Sequence, residues 1–187
     1  MSDKPKLVNV TMVRENLENL PDFPLPRPYR VRLFQPGDDK AFNDIWMAAD
    51  CFGQARPDLF EREFGSNLAA VPPRMFFVVD GAGSPIGTAT AWFNDNFDGK
   101  PWGVVHWVAM KPEAQGKGLS KPLMAAVLKR MKELGHVRSY LITQTVRLTA
   151  INLYLSLGFK PLIKTDEDKA SWKEINANLA KMKREKK

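Results

Sequence analysis

Residues 108–120, Val108-Ala109-Met110-Lys111-Pro112-Glu113-Ala114-Gln115-Gly116-Lys117-Gly118-Leu119-Ser120, constrain this chain more than any other stretch. Val104-Val105-His106-Trp107-Val108-Ala109-Met110 is β-branched and aromatic enough for an interior strand. A proline-containing turn and a loop with two glycines follow. Leu119, Leu123, Val127 and Met131 then recur at every fourth position, one face of a helix that ends near Gly135. Gly116 and Gly118 leave backbone N–H groups uncovered by side chains, where a helix N-terminus concentrates positive potential. Strand, glycine loop and helix start together read as a phosphate cradle. A dinucleotide fingerprint would need a third glycine where Lys121 stands, and an acid at the ribose-binding distance. A P-loop would need a glycine five residues before a Gly-Lys-Ser/Thr end, and Gly116-Lys117-Gly118 supplies none. The remaining alternative is a glycine turn with no ligand.

Residues 150–159, Ala150-Ile151-Asn152-Leu153-Tyr154-Leu155-Ser156-Leu157-Gly158-Phe159, read as an apolar helix stopped by a glycine before an aromatic strand entry. The two segments together resemble the signatures of the GNAT superfamily of N-acetyltransferases. The first is similar to Q/R-x-x-G-x-G/A through Gln115, Gly118 and Ser120. Ser120 stands where the family carries Gly or Ala, and its hydroxyl either donates to a phosphate or crowds the diphosphate. The second is similar to L-Y-x-x-x-G-F through Leu153, Tyr154, Gly158 and Phe159. The family often has an Asn seven residues before that tyrosine; here the position is Arg147, open to a phosphate, an acidic acceptor or solvent. The motifs stand in the family's order, with a Leu141-Ile142-Thr143 strand between them, and the resemblance covers residues 29–162.

The resemblance implies an α/β chain of GNAT (acyl-CoA N-acyltransferase) fold. Its central mixed sheet is splayed at the cofactor strand and flanked by helices. It implies acetyl-CoA as acetyl donor, no metal, and a primary amine of a small molecule or peptide as acceptor. In the family the edge of the central strand hydrogen-bonds the pantetheine, which maps onto Val108, Ala109 and Met110. The diphosphate maps onto Gln115, Gly116, Lys117, Gly118, Leu119, Ser120 and Lys121. Tyr154 occupies the position from which many members protonate the leaving thiolate. A phenol of pKa about 10 stays protonated at pH 7 and can donate to a thiolate of parent pKa about 8.5. The alternative is a core aromatic that only hydrogen-bonds the sulfur.

Acetyl transfer also needs the amine's proton removed. His106, one of 2 histidines, shares strand parity with Val104 and Val108, and its ordinary pKa near 6.5 suits a base. A packed structural histidine and an ordered water acting as base are the alternatives. His136 lies in a Gly135-His136-Val137 connection and reads as structural. Asp95, Asp98 and Glu113 sit on turns and read as solvated.

At 187 residues and 44% hydrophobic, the chain is one domain that needs no covalent staple. Cys51 is the only cysteine, which excludes an intramolecular disulfide and a cysteine-rich metal site. No apolar stretch approaches spanning length and Met1-Ser2-Asp3-Lys4 leads into no signal-peptide core, so the expectation is cytoplasmic, with no membrane partner. The sequon Asn9-Val10-Thr11 is then accidental. The net charge of +7 suits a polyanionic partner such as coenzyme A. Much of the excess lies in Lys181, Lys183, Arg184, Lys186 and Lys187, a solvated helix end. No nucleic-acid recognition motif accompanies it, so nucleic acid is not the expected partner.

Pro21, Pro24, Pro26 and Pro28 make residues 1–28 an extended arm over the domain or a partner, a homodimer being one arrangement it permits. Residues 29–165 then form the acetyltransferase domain, and residues 166–187 an amphipathic helix with a basic tail. Within the domain, strands are expected at 29–34, 75–79, 86–93, 104–110 and 140–143 and from Phe159. Helices are marked by Phe42, Ile45 and Trp46, by Leu59, Phe60, Phe64 and Leu68, and by Trp172, Ile175, Leu179 and Met182. Residues 94–100 read as a polar hairpin tip, and with residues 51–63 they are the expected acceptor-specificity elements. The His106 and Tyr140 strands are expected to pair in parallel, because the helix between them has crossover length. Two other functional classes stay open: a non-catalytic acyl-CoA sensor of the same fold, and a nucleic-acid-associated protein.

Overall fold

The computed structural model describes residues 7–50, 52–53 and 55–185; Cys51 lies outside them. Among the described residues, seven strands form one sheet in the order β2-β3-β4-β5-β6-β1-β7. They are β1 (Asn9–Arg14), β2 (Arg30–Leu33), β3 (Met75–Val79), β4 (Pro85–Phe97), β5 (Lys100–Met110), β6 (Ser139–Gln144) and β7 (Lys160–Pro161). The helices are α1 (Asp38–Ala49), α2 (Leu59–Phe64), α3 (Ser120–Glu133), α4 (Leu148–Ser156) and α5 (Asp166–Arg184). β5 and β6 pair in parallel through the α3 crossover, as its length predicts, and every other pairing is antiparallel. The chain is therefore α/β, with a mixed sheet flanked by helices.

α3, α4 and α5 bury Leu123, Val127, Met131, Ile151, Trp172 and Ile175 against one face of the sheet. On the other face, α1 and α2 enclose an aromatic cluster of Phe42, Phe60, Phe64 and Phe77. Phe42 is central there, meeting the rings of Phe60 and Phe64 edge-on at 5.6 Å each. α5 closes its own N-terminus with a capping box between Thr165 and Asp168.

Three expectations need correction. Residues 1–28 are not irregular throughout, because β1 is inserted between β6 and β7. Asn9 stands opposite Gln144 and Arg14 opposite Ser139 on one side, with Met12 against Pro161 on the other. The prolines that suggested an arm begin only at Pro21. The preceding Val10-Thr11-Met12-Val13 run has strand composition, and Val10, Met12 and Val13 are buried. The Arg14 guanidinium also ties β1 to α4. It donates to the Leu157 carbonyl at the end of that helix and to the Glu18 carbonyl at 2.9 Å. Gly158, at φ +83°, leaves the space the guanidinium fills, since a Cβ there would collide with it.

The second correction concerns residues 94–100. β4 runs on to Phe97 and β5 starts at Lys100, leaving only Asp98 (φ +57°) and Gly99 (φ +74°) as the turn. Asp-Gly with both φ positive matches the right-handed strand twist. Phe97 then stacks on Tyr140 at 3.8 Å and 11°. Third, Leu68 falls in a 3₁₀ segment, Gly65–Ala70, and is exposed rather than on a buried helix face.

Candidate active site

β5 and β6 stay paired only where Gly103 faces Ser139 and Val104 faces Tyr140. Beyond those residues the strands part, and the cause lies on the other edge of β5. Thr90 pairs with His106 and Thr88 with Ala109, so Trp107 and Val108 together oppose the single Ala89. A bulge of this kind bends its strand. Trp107 sits at φ +50°, a conformation costing about 1–3 kcal/mol for a bulky residue. Its contacts offset that strain. The ring meets Trp46 edge-on at 4.8 Å and Phe42 at 6.2 Å, and the indole N–H donates to Glu63 Oε2 at 3.2 Å.

The parted strands open a cleft of about 350 Å³, within the size range of small-molecule sites. His106 and Val108 line it from β5, Ile142 and Gln144 from β6, and Arg147 and Tyr154 from the start and body of α4. The bulge also alters parity. Val108 packs with Val105 and Met110 on the α3 side, so it no longer shares a face with His106 as strict alternation predicted. The His106 ring lies toward α2, 6.3 Å from the ring of Phe64.

Tyr154 is 6% exposed, and burial pushes its hydroxyl up to about 12, against a smaller opposing pull from the charge of Arg147. It is fully protonated at neutral pH. Among the described residues its hydroxyl takes no hydrogen bond, so its proton is uncommitted. Burial pushes the His106 imidazole down to about 4, and Glu63 Oε2 lies 4.0 Å from its Nε2. The ring is neutral at pH 7.

The glycine loop follows β5 directly. Gly116 and Gly118 have φ +74° and +76°, and a Cβ on either would meet nothing within 4 Å. α3 starts without a side-chain cap and without an acidic residue in its first turn. α5, by contrast, carries Asp166, Glu167 and Asp168 in its first turn. The start of α3 thus leaves N–H groups and positive potential for an external anion, and the bare glycine backbone lets that anion approach closely. The residues present fit a diphosphate.

The cleft thus unites His106, Val108 and Tyr154, whereas Ala109, Met110 and residues 115–121 are not among its described lining. Ala109 and Met110 continue β5 with buried side chains. Gln115 turns inward, its Nε2 donating to the Met110 carbonyl at 3.0 Å, so it holds the loop against the strand. Leu119 points into the core, 2% exposed, and has only its backbone to offer a ligand. Lys117 is exposed, Ser120 opens α3, and Lys121 Nζ stands 5.3 Å from the Phe23 ring centroid. The sequence does not single out Trp46 and Trp107 as site residues, whereas Glu63 ends the expected specificity segment 51–63. Trp46 and Trp107 read as apolar helix and strand positions, and only the bulge brings them together.

Residues 41–159 match the model of the acetyltransferase (GNAT) family. The chain belongs to that family. A mycothiol acetyltransferase of Pseudarthrobacter chlorophenolicus is 31% identical over 149 residues, 75% of this chain and 45% of that protein. One from Nocardia farcinica is 33% identical over 147 residues, 76% of this chain and 48% of that protein. The chain thus spans about half the length of these relatives. Among solved structures, a GCN5-related N-acetyltransferase from Sphaerobacter thermophilus superposes with TM-score 0.68 at 20% identity, over 85% of this chain and 50% of that one. Glucosamine-6-phosphate N-acetyltransferase from Arabidopsis thaliana gives 0.57 at 15% identity, over 74% and 96%. These likenesses show the GNAT fold.

Proposed function

We propose that this GNAT chain transfers the acetyl group of acetyl-CoA directly to a primary amine of a small molecule or peptide. The observation that carries the reading is Tyr154, which lines the cleft opened by the β5 bulge with its hydroxyl free of hydrogen bonds to the described residues. The exposed backbone of Gly116, Gly118 and Ser120 holds the diphosphate, and the parted β5 edge at Val108 and Met110 receives the pantetheine. The amine nitrogen attacks the thioester carbonyl, the C–S bond breaks, and the departing thiolate takes the Tyr154 proton. The amine's proton passes to neutral His106 or to water. Burial keeps Tyr154 protonated at neutral pH, so the proton is in place to be given up, while the nearby Arg147 charge eases its release.

Two measurements test the reading: calorimetric titration with acetyl-CoA, and thiol release over an amine panel. Saturable binding with turnover is expected. Binding without turnover would leave an acyl-CoA sensor, and no binding would remove both. Gly118→Val checks the cradle. Its side chain has space within the protein, so the fold should persist, but a β-branched residue at φ +76° displaces the backbone and blocks the diphosphate. Acetyl-CoA affinity should fall at least about tenfold, roughly 1.4 kcal/mol; unchanged affinity in folded protein would refute the assignment.

His106 supplies a pH prediction whose sign follows from its lowered pKa. The unfolded chain takes up a proton near pH 6.5 and the folded one only near 4, so this group's stabilisation is full above 6.5 and is lost as pH falls toward 4. Melting temperature should drop less steeply over that window in His106→Gln than in the parent. If His106 is the base, the acid limb of kcat/KM lies near pH 4 and vanishes in the variant. A limb near 6.5 that survives the substitution belongs to another group.

A further inference from the structure

We infer that the acceptor amine carries an anionic group, a carboxylate or a phosphoryl, and that Arg147 holds it. The inference rests on the acetyl-transfer reading above and specifies its substrate class. Arg147 stands at the start of α4, on the wall of the cleft that also presents Tyr154. Two contacts orient its guanidinium. Nε donates to Gln144 Oε1 at 2.8 Å, and Cζ lies 4.9 Å from the Phe52 ring centroid, in the α1–α2 connection. Neither contact uses Nη1 or Nη2, and among the described residues Arg147 forms no ion pair. The side chain is thus held in place with its bidentate donor edge unspent, the geometry that suits a carboxylate or a phosphoryl group.

The surroundings favour the same class. Among the described residues lining the cleft, Arg147 is the one with a formal charge at pH 7, because His106 is neutral there and the Glu63 carboxylate, which meets His106 and Trp107, is not part of that lining. A polyamine would bring a second ammonium to an uncompensated guanidinium, which Coulomb repulsion opposes. The donor supplies no anion here either, since the reacting end of acetyl-CoA beside Tyr154 is neutral and its diphosphate belongs at the glycine loop. Trp46 and Trp107 give the rest of the wall an aromatic character suited to the acceptor's carbon body.

The test uses the full chain with matched amines: phenylalanine, phenylalaninamide, 2-phenylethylamine, phosphoethanolamine and spermidine. The parent should prefer an anionic amine over its neutral partner, and phenylalanine against phosphoethanolamine ranks carboxylate against phosphoryl. Arg147→Gln, verified as folded by circular dichroism, should raise KM for the anionic amine at least about tenfold, with Arg147→Lys recovering part of the loss. KM for the neutral amines and the Kd for acetyl-CoA should change by less than about twofold, while any fall in kcat, from loss of the Arg147 charge near Tyr154, should be the same for all amines. An equal loss for neutral and anionic amines together with weakened acetyl-CoA binding would assign Arg147 to the donor and overturn the inference. So would a parent that prefers spermidine or the amide. If no amine is acetylated, the transfer reading fails by itself. Calorimetric titration of the coenzyme A-saturated protein with the same amines then decides: Arg147-dependent binding of an anionic amine supports the inference, and no such binding rejects it.

Discussion

Tyr154→Phe is expected to lower kcat by about 10²–10⁴-fold while acetyl-CoA affinity and the fold stay intact. The substitution keeps a ring of nearly the same shape in its contact with Phe159, 6.2 Å between centroids, and removes only the hydroxyl. That hydroxyl makes no hydrogen bond to the described residues, so its loss strands no buried partner and costs little stability. The expelled thiolate would then have to take its proton from water, which the closed geometry around a 6% exposed tyrosine makes slow. Because burial holds the phenol near 12, the parent enzyme should show no loss of kcat from Tyr154 ionisation up to about pH 10. Stopped-assay kcat values and calorimetric Kd values for both proteins check this. A fall well short of a hundredfold with unchanged Kd would make Tyr154 a packing residue.

Removing residues 1–14 is expected to abolish cooperative folding. The deletion takes Val10, Met12 and Val13 out of the core, at 2%, 0% and 7% exposure. Each is worth about 1.5–3 kcal/mol of burial, against a total stability of about 5–15 kcal/mol for an ordinary domain. It also strips β6 and β7 of their shared neighbour, leaving two open edges that invite association. The Arg14 clamp on the end of α4, the helix that carries Tyr154, goes with it. Met12→Ala isolates the packing component and should cost about 2–5 kcal/mol with the fold retained. Denaturant unfolding followed by circular dichroism measures both. A truncated chain with a sharp transition would show that β1 only decorates the sheet.

The two motifs were legible because each is a local requirement. Bare backbone at a helix start needs residues without side chains, and Gly116 and Gly118 announce that loop in four consecutive residues from Gln115. Gly158 after Leu157 marks a helix stop by the same logic. The parallel neighbours β5 and β6 followed from the length of α3 alone. The Asp98-Gly99 turn signal is present in the sequence, but the polar residues around it make the tip look wider than the two-residue turn that forms. The prolines at 21, 24, 26 and 28 mask β1 in the sequence, although the strand ends at Arg14 and none of them lies in it.

The amino-acid order by itself thus carried the motifs that resemble the family, most of the strands, the bare glycine loop at the start of α3 and the place of Tyr154 on its helix. The bulge at Trp107, the insertion of β1 between β6 and β7, and the meeting of Arg147 with Phe52 were decided by the tertiary structure. Each depends on partners distant along the chain: Ala89 and Trp46 for the bulge, Gln144 and Pro161 for the strand, the α1–α2 connection for the arginine. A positive φ at a tryptophan carries no mark in the sequence, because its cost is offset only by rings that folding brings from another helix. The pKa of His106 has the same origin, since burial is a property of the assembled core and not of the residue.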